Sequence, residues 1–428
     1  MLPVQMKEMC TFPEGTGRSR PAGGTGGVNG PFAPPIGTNG PFTSWDSLRP
    51  ARRTRRGDGR ITAAFGAHGP DSALVRLPGM NSGDDRDSLR HHGDVDAEHG
   101  LLDFAVNVRL DRPPAWLRHR LAAALDRLGR YPSAADDLAA RSAAAARHGR
   151  TADEVLPLAG AAEGFALLPS LRPRLAALVH PSFTEPELAL RTAGVEVARV
   201  QLDPADGYRL DATAVPEQAD LVVLGNPTNP TSVLHPAAEI RRLLRPGRVV
   251  LVDEAFADTV PGEPESLAGC REPGLLVFRS LTKMWGLPGL RAGYALGDPE
   301  LLRRLSRYRP HWPVNALVLE AMIACCEPAA LAESGQAAAE FEEHRAGLVA
   351  ELDGIPGLRI ALPARAPFLL LQVAGGAEVR EALRQHGIAV RRGDTFPGLG
   401  PDHLRVAVRD PAQNALLVKA LRDILGRG

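Results

Sequence analysis

The sequence predicts an α/β protein: a mostly parallel central sheet with helices on both faces, plus a small C-terminal α+β domain. Two observations carry this reading. Between about residues 150 and 310, short apolar runs such as LVVLG, VVLVD and LLVF alternate with amphipathic stretches of helical length. Strands that read as continuous apolar runs are buried on both faces, as in parallel sheets with crossover helices. After Tyr308 the texture changes to long alanine-rich helices and then to short strands, the mark of a second unit.

In chain order, residues 1–85 form a Gly/Pro-rich extension with little that could build a core, and are expected to be disordered. Residues 86–149 form an N-terminal segment that joins the small domain, with LLDFAVNV extended, a helix opening at Pro113-Pro114 and ending at Tyr131-Pro132, and a second helix over Asp137–His148. Residues 150–310 form the large domain. Its strands are EVLPL, LAALVH, VEVARVQL, LVVLG, RVVLVD, GLLVFRS and RAGYALG, with helices from Ala161 and over EPELALRTAG and AAEIRRLL. Residues 311–428 hold linking helices, then strands LRIALP, APFLLLQV, GIAVRRG and LRVAVRD, with helices EVREALRQHG and QNALLVKALRDIL.

Composition narrows the function. Over 428 residues the formal net charge is zero and 23% are charged, which gives no basic surface for nucleic acid. Cys10, Cys270, Cys325 and Cys326 lack metal-ligand spacing, and His91-His92 has no carboxylate or cysteine partners at such spacing, so no metal is expected. No stretch reaches the length of a membrane span, and the default location is the cytoplasm. No G-x-G-x-x-G follows an early strand, which argues against a dinucleotide-binding enzyme.

One residue organises the chemistry. Of 50 basic residues only Lys7, Lys283 and Lys419 are lysines. Lys283 lies in VFRSLTKMWGLPGLRAGYALGD, and a lysine kept there in an arginine-rich chain points to chemistry that a guanidinium cannot perform: deprotonation, and imine formation with a carbonyl. In an α/β sheet, ligands collect beyond the carboxyl ends of the strands. That rule gathers Gly160, Ala161, Ala162 and Glu163; His180–Phe183; Asn226–Thr231; Asp253–Phe256; and Ser280–Arg291. An aldehyde cofactor with a phosphate, a ring nitrogen and a phenolic oxygen, namely pyridoxal 5'-phosphate, would use nearly all of these.

With those motifs in place, the chain from about residue 91 to the end resembles the fold-type I pyridoxal-phosphate enzymes, in the branch of histidinol-phosphate aminotransferases and cobalamin-pathway threonine-phosphate decarboxylases. The resemblance implies that Lys283 carries the cofactor and that Asp253 faces its ring nitrogen. It gives Asn229 of NPTNPTS the ring oxygen, and Phe183 the ring face. Ser280 and Arg291, with Thr282 and the turn Gly160–Glu163, would take the phosphate. Arg405 would clamp a substrate carboxylate, with Asn107, Arg109 and Arg409 near the substrate. Tyr131 of RYP would reach across a two-fold interface to the neighbour's cofactor, which implies a homodimer with shared active sites. Phe256 of DEAF stands where aminotransferases usually carry a tyrosine that donates to the ring oxygen, and AVRD resembles the decarboxylase ending. The first reading is therefore decarboxylation of a small phosphorylated L-amino acid, resembling threonine-phosphate decarboxylase. The alternative is amino transfer, resembling the histidinol-phosphate enzyme or a specialised-metabolism transaminase. Thr228, Ser232, the segment VRLDRPP and Pro367 depart from the family pattern around the substrate and leave that choice open.

Overall fold

The computed structural model describes residues 88–97 and 100–426. The extension expected over residues 1–85 lies outside the described residues.

A seven-stranded sheet carries the chain's centre. Its strands are β2 (Val155–Leu158), β3 (Leu175–His180), β4 (Glu196–Gln201), β5 (Leu221–Gly225), β6 (Val249–Asp253), β7 (Leu275–Ser280) and β8 (Gly293–Gly297), in the order β2-β8-β7-β6-β5-β3-β4. The pairs β3–β4, β3–β5, β5–β6 and β6–β7 are parallel, whereas β8 runs antiparallel to both neighbours. The reason lies in the connection. Between Ser280 and Gly293 the chain makes only the short helix Thr282–Trp285, too little for the crossover that a parallel return needs. β5, β6 and β7 are buried almost throughout, as their unbroken apolar runs require.

Helices on both faces close two apolar layers. One gathers Val222, Val252, Val277, Trp285, Met322 and Ala144; the other gathers Phe165, Leu178, Leu251, Phe278 and Leu305. The helix Ala134–Arg147 starts three residues earlier than its apolar pattern suggests, because Ser133 and Asp136 form a reciprocal capping box. The antiparallel sheet β12-β13-β10-β9 uses β9 (Leu358–Ile360), β10 (Phe368–Val373), β12 (Arg391–Arg392) and β13 (His403–Ala407).

LLDFAVNV is less extended than its apolar character predicts. Only β1 (Leu102–Asp103) is strand, paired in parallel with β11 (Ile388–Ala389). Asp103 Oδ1 accepts from the backbone N–H groups of Ala105 and Val106 at 2.7 and 2.9 Å, and this turn ends the strand. The chain then bends into the ligand face. Among the described residues no helix is long and apolar enough to cross a membrane.

Gly164 fixes the spacing between the helix Ala161–Leu167 and the sheet. A Cβ there would lie 2.5 Å from Phe278 Cε2, inside a packed layer. Gly164→Ala is expected to cost about 2 kcal/mol by overpacking, a drop of several degrees in a thermal melt. An unchanged melting temperature would contradict this packing.

Candidate active site

Parallel register sets the site. Gly225, Asp253 and Phe278 lie abreast on β5, β6 and β7, so the loops after these strands open at one level. They border a cavity of about 540 Å³, a size that suits a cofactor with a small substrate. Its wall brings together Lys283, Asp253, Asn229, Phe183, Phe256, Ser280, Thr282, Arg291, Ala161, Ala162, Asn107 and Arg405. A larger cleft of about 830 Å³ lies at the opposite ends of the strands, around Arg172, Arg245 and Arg304, and holds none of these residues.

Lys283 and Asp253 open to the cavity but are shielded from bulk solvent. Burial, with Arg405 and Arg291 nearby, lowers the Lys283 amine to about 8. Burial raises Asp253 to about 7 against the backbone N–H of Ala255, which donates to Oδ1 at 3.1 Å, and against the charge of Lys283. The Lys283 Nζ sits 5.8 Å from the centre of the Phe256 ring, which meets Phe368 edge-on at 5.0 Å. This apolar wall offers no hydrogen bond, so the amine's solvation is poor on that side.

At the other end, Gly160 has φ +76°, and a Cβ there would lie 2.9 Å from Arg291 Nη2. Only glycine lets the guanidinium lie over this turn. Arg291 itself takes a left-handed φ of 61°, which aims it back at the turn. Ser280 Oγ accepts from the Thr282 N–H at 3.2 Å.

Arg405 joins the two sheets. Its Nη1 donates to Asn229 Oδ1 at 2.7 Å, and its Nη2 donates to Ala105 O. Its Nε is enclosed without a partner, as are both amide atoms of Asn107 among the described residues. Burial and the like charge of Arg391 push Arg405 down to about 9, so an anion would be welcome beside it. His92 lies over Phe183, ring centres 5.4 Å apart, with its Nε2 2.5 Å from Glu185 Oε1.

Five residues from the sequence analysis stand elsewhere. Arg409 donates to the carbonyls of Asp103, Val106 and Val108 at 2.7–2.8 Å and staples that loop, and it does not border the cavity. Arg109 turns toward Glu333 and Glu340 at 4.0 and 3.7 Å, while its backbone N–H holds Lys283 O at 3.0 Å. Glu163 pairs with Arg309 at 2.8 Å and accepts the Ala159 N–H, so its carboxylate braces the turn from outside the cavity. Gly160 contributes through Arg291 and does not itself border the cavity. Tyr131 is 70% exposed and stacks on Trp312 with ring centres 4.2 Å apart.

Sequence reasoning missed Arg391 and Phe396 in the wall, and it placed Ser182 on the ligand face without giving it a role. Arg391 lies over the Phe396 ring at 4.9 Å and holds Asp96 and the carbonyl of His91. The doubled arginine at the end of GIAVRRG was the available signal.

Fold and site together define a fold-type I pyridoxal-phosphate enzyme. Residues 99–421 match the aminotransferase class I and II family, and the chain belongs to it. It is 53% identical over 341 residues to a histidinol-phosphate aminotransferase of Mycobacterium tuberculosis, covering 80% of this chain and 92% of that protein. It is 33% identical over 339 residues to the threonine-phosphate decarboxylase of Salmonella typhimurium, covering 76% and 91%. A solved histidinol-phosphate aminotransferase from Clostridium acetobutylicum shares the fold, with TM-score 0.71 and 23% identity over 77% of this chain and 100% of that one.

The residues fit the cofactor. Asp253 is a half-buried carboxylate on the cavity wall with one backbone donor, so it has room for a protonated ring nitrogen, and Gly160 keeps open a turn that Arg291 covers with positive charge. Because the amine must be neutral to attack a carbonyl, uptake of pyridoxal phosphate by cofactor-free protein should accelerate as pH rises through about 8. Stopped-flow absorbance checks this, and a rate that only begins to rise above pH 10 would contradict a depressed Lys283.

Proposed function

We propose that this protein is an aminotransferase acting on a small phosphorylated amino substrate of the histidinol-phosphate type. The grouping of Lys283, Asp253, Asn229 and Arg405 in one cavity wall carries the reading. The comparisons favour amino transfer over the decarboxylation put first from sequence, at 53% against 33% identity.

In this reading Lys283 holds the cofactor, Asp253 faces the ring nitrogen, Asn229 the ring oxygen and Phe183 the ring face. Ser280, Thr282, Arg291 and the turn Gly160–Ala162 hold the phosphate. When bound, pyridoxal phosphate supplies the electron sink for the bond broken beside the substrate's amine. The rest falls to the chain. Lys283 Nζ, with its depressed basicity, accepts and returns a proton near neutral pH. Asp253 is expected to stay ionised once a cationic N–H meets it, since that partner offsets the burial that raises it. Arg405 and Asn107 offer unused donors to an anionic group of the substrate.

A second reading has its own observation. Phe256 leaves the ring oxygen to Asn229, one donor fewer than a tyrosine would give, which keeps threonine-phosphate decarboxylation in play. The exposed Tyr131–Trp312 stack, with Leu125 and Leu128 exposed nearby in the chain, suits burial against a second copy.

Purified holoenzyme should convert histidinol phosphate and 2-oxoglutarate into the corresponding keto phosphate and glutamate, and should run as a dimer in sedimentation. Lys283→Ala should lower the rate at least about a thousandfold. Release of carbon dioxide from O-phospho-L-threonine without amino transfer would replace this reading by the second one.

A further inference from the structure

Enclosed polar side chains cost stability unless they have partners, and a chain of such contacts that ends in a binding cavity invites a use. One such chain lies outside the roles given above. His180 closes β3 and is fully enclosed, with Nε2 2.9 Å from Oε2 of Glu187. Glu187, on the helix Glu185–Thr192, is equally enclosed and takes Arg191 Nε at 2.6 Å and Arg199 Nη2 at 2.8 Å. Burial works to raise its carboxyl, but the contact with His180 and the hydrogen bonds and charge of Arg199 hold it below the usual carboxylate range. On the other side of the ring, His180 Nδ1 lies 3.4 Å from Ser182 Oγ. Ser182 borders the cavity, one residue before Phe183.

Charge decides the proton positions along this chain. His180 Nε2 makes no well-aligned hydrogen bond, but an ionised carboxylate 2.9 Å away still favours a proton on that nitrogen, because two lone pairs at that distance would repel. Two guanidinium groups already neutralise Glu187, so a second proton would leave a cation in an enclosed ring. Nδ1 therefore keeps its lone pair and accepts the Ser182 hydroxyl proton. Ser182 Oγ is left with lone pairs for the cavity, which makes it an acceptor.

We propose that Ser182 is a specificity-determining residue whose hydroxyl oxygen accepts a hydrogen bond from an N–H or O–H group of the amino substrate, with His180 and Glu187 as the positioning residues that orient it. The partner belongs to the substrate by elimination. The phosphate and ring oxygen of the cofactor need donors, and its protonated ring nitrogen is answered by Asp253. The inference rests on reading the cavity as the site of an amino substrate.

The test titrates holoenzyme with histidinol phosphate and with O-phospho-L-threonine, following the cofactor absorbance. Ser182→Ala and His180→Leu should each weaken the tighter-binding probe roughly five- to tenfold, the worth of one hydrogen bond. The double variant should bind no more weakly than Ser182→Ala, and Ser182→Thr should stay within about twofold of wild type. Cofactor retention should not change. Wild-type affinity in Ser182→Ala, additive losses in the double variant, or a loss confined to cofactor retention would each overturn the proposal. If His180→Leu does not fold, the contrast between Ser182→Ala and Ser182→Thr decides alone. Binding without amino transfer would remove the aminotransferase reading and leave this comparison intact, whereas binding of neither probe would count against both.

Discussion

The level at which three parallel strands end is the constraint on which the site depends. Gly225, Asp253 and Phe278 are abreast, so Asn229, Asp253 and the Ser280–Lys283 turn emerge together although they are far apart in sequence. A slip of one residue on β6 would turn Asp253 to the opposite face of the sheet. The unbroken apolar runs of these strands, buried on both faces, hold that register. The chemistry is thus secured by packing that never touches a ligand.

A second constraint brings the smaller sheet to the cavity. Arg405 on β13 reaches Asn229 and the carbonyl of Ala105, which ties three distant segments together. Arg409 does the same with the last carbonyl of β1 and two carbonyls of the loop after it. Removing such a partner would leave several enclosed polar groups unpaired, which costs more than the bond itself is worth. The two arginines of LRVAVRD therefore divide the work: Arg405 borders the cavity with its Nε unpaired, and Arg409 shapes the loop.

Much of this was legible in the sequence, for identifiable reasons. Apolar run length located the strands, and the scarcity of lysine singled out Lys283. The resemblance to the fold-type I enzymes then proposed Ser280 and Arg291 as its neighbours at the cofactor phosphate. What stayed hidden depends on partners far along the chain. The helical pattern around Ala161 does not say that Glu163 meets Arg309, and no local pattern says that Arg409 meets backbone 306 residues earlier. The reversal of β8 follows from the length of a connection and not from the strand's own residues. His180 and Ser182 lay on the ligand face by position, but the approach of His180 to Glu187 required the helix to be placed.

The central claim is that Lys283 is the residue that binds the cofactor's carbonyl. Its most direct test is borohydride trapping of bound pyridoxal phosphate, followed by proteolysis and mass mapping. With only Lys7, Lys283 and Lys419 as lysines, the outcome is unambiguous. The account predicts the cofactor's mass on the peptide that contains Lys283. Its appearance on Lys7 or Lys419, or on no lysine, would contradict it.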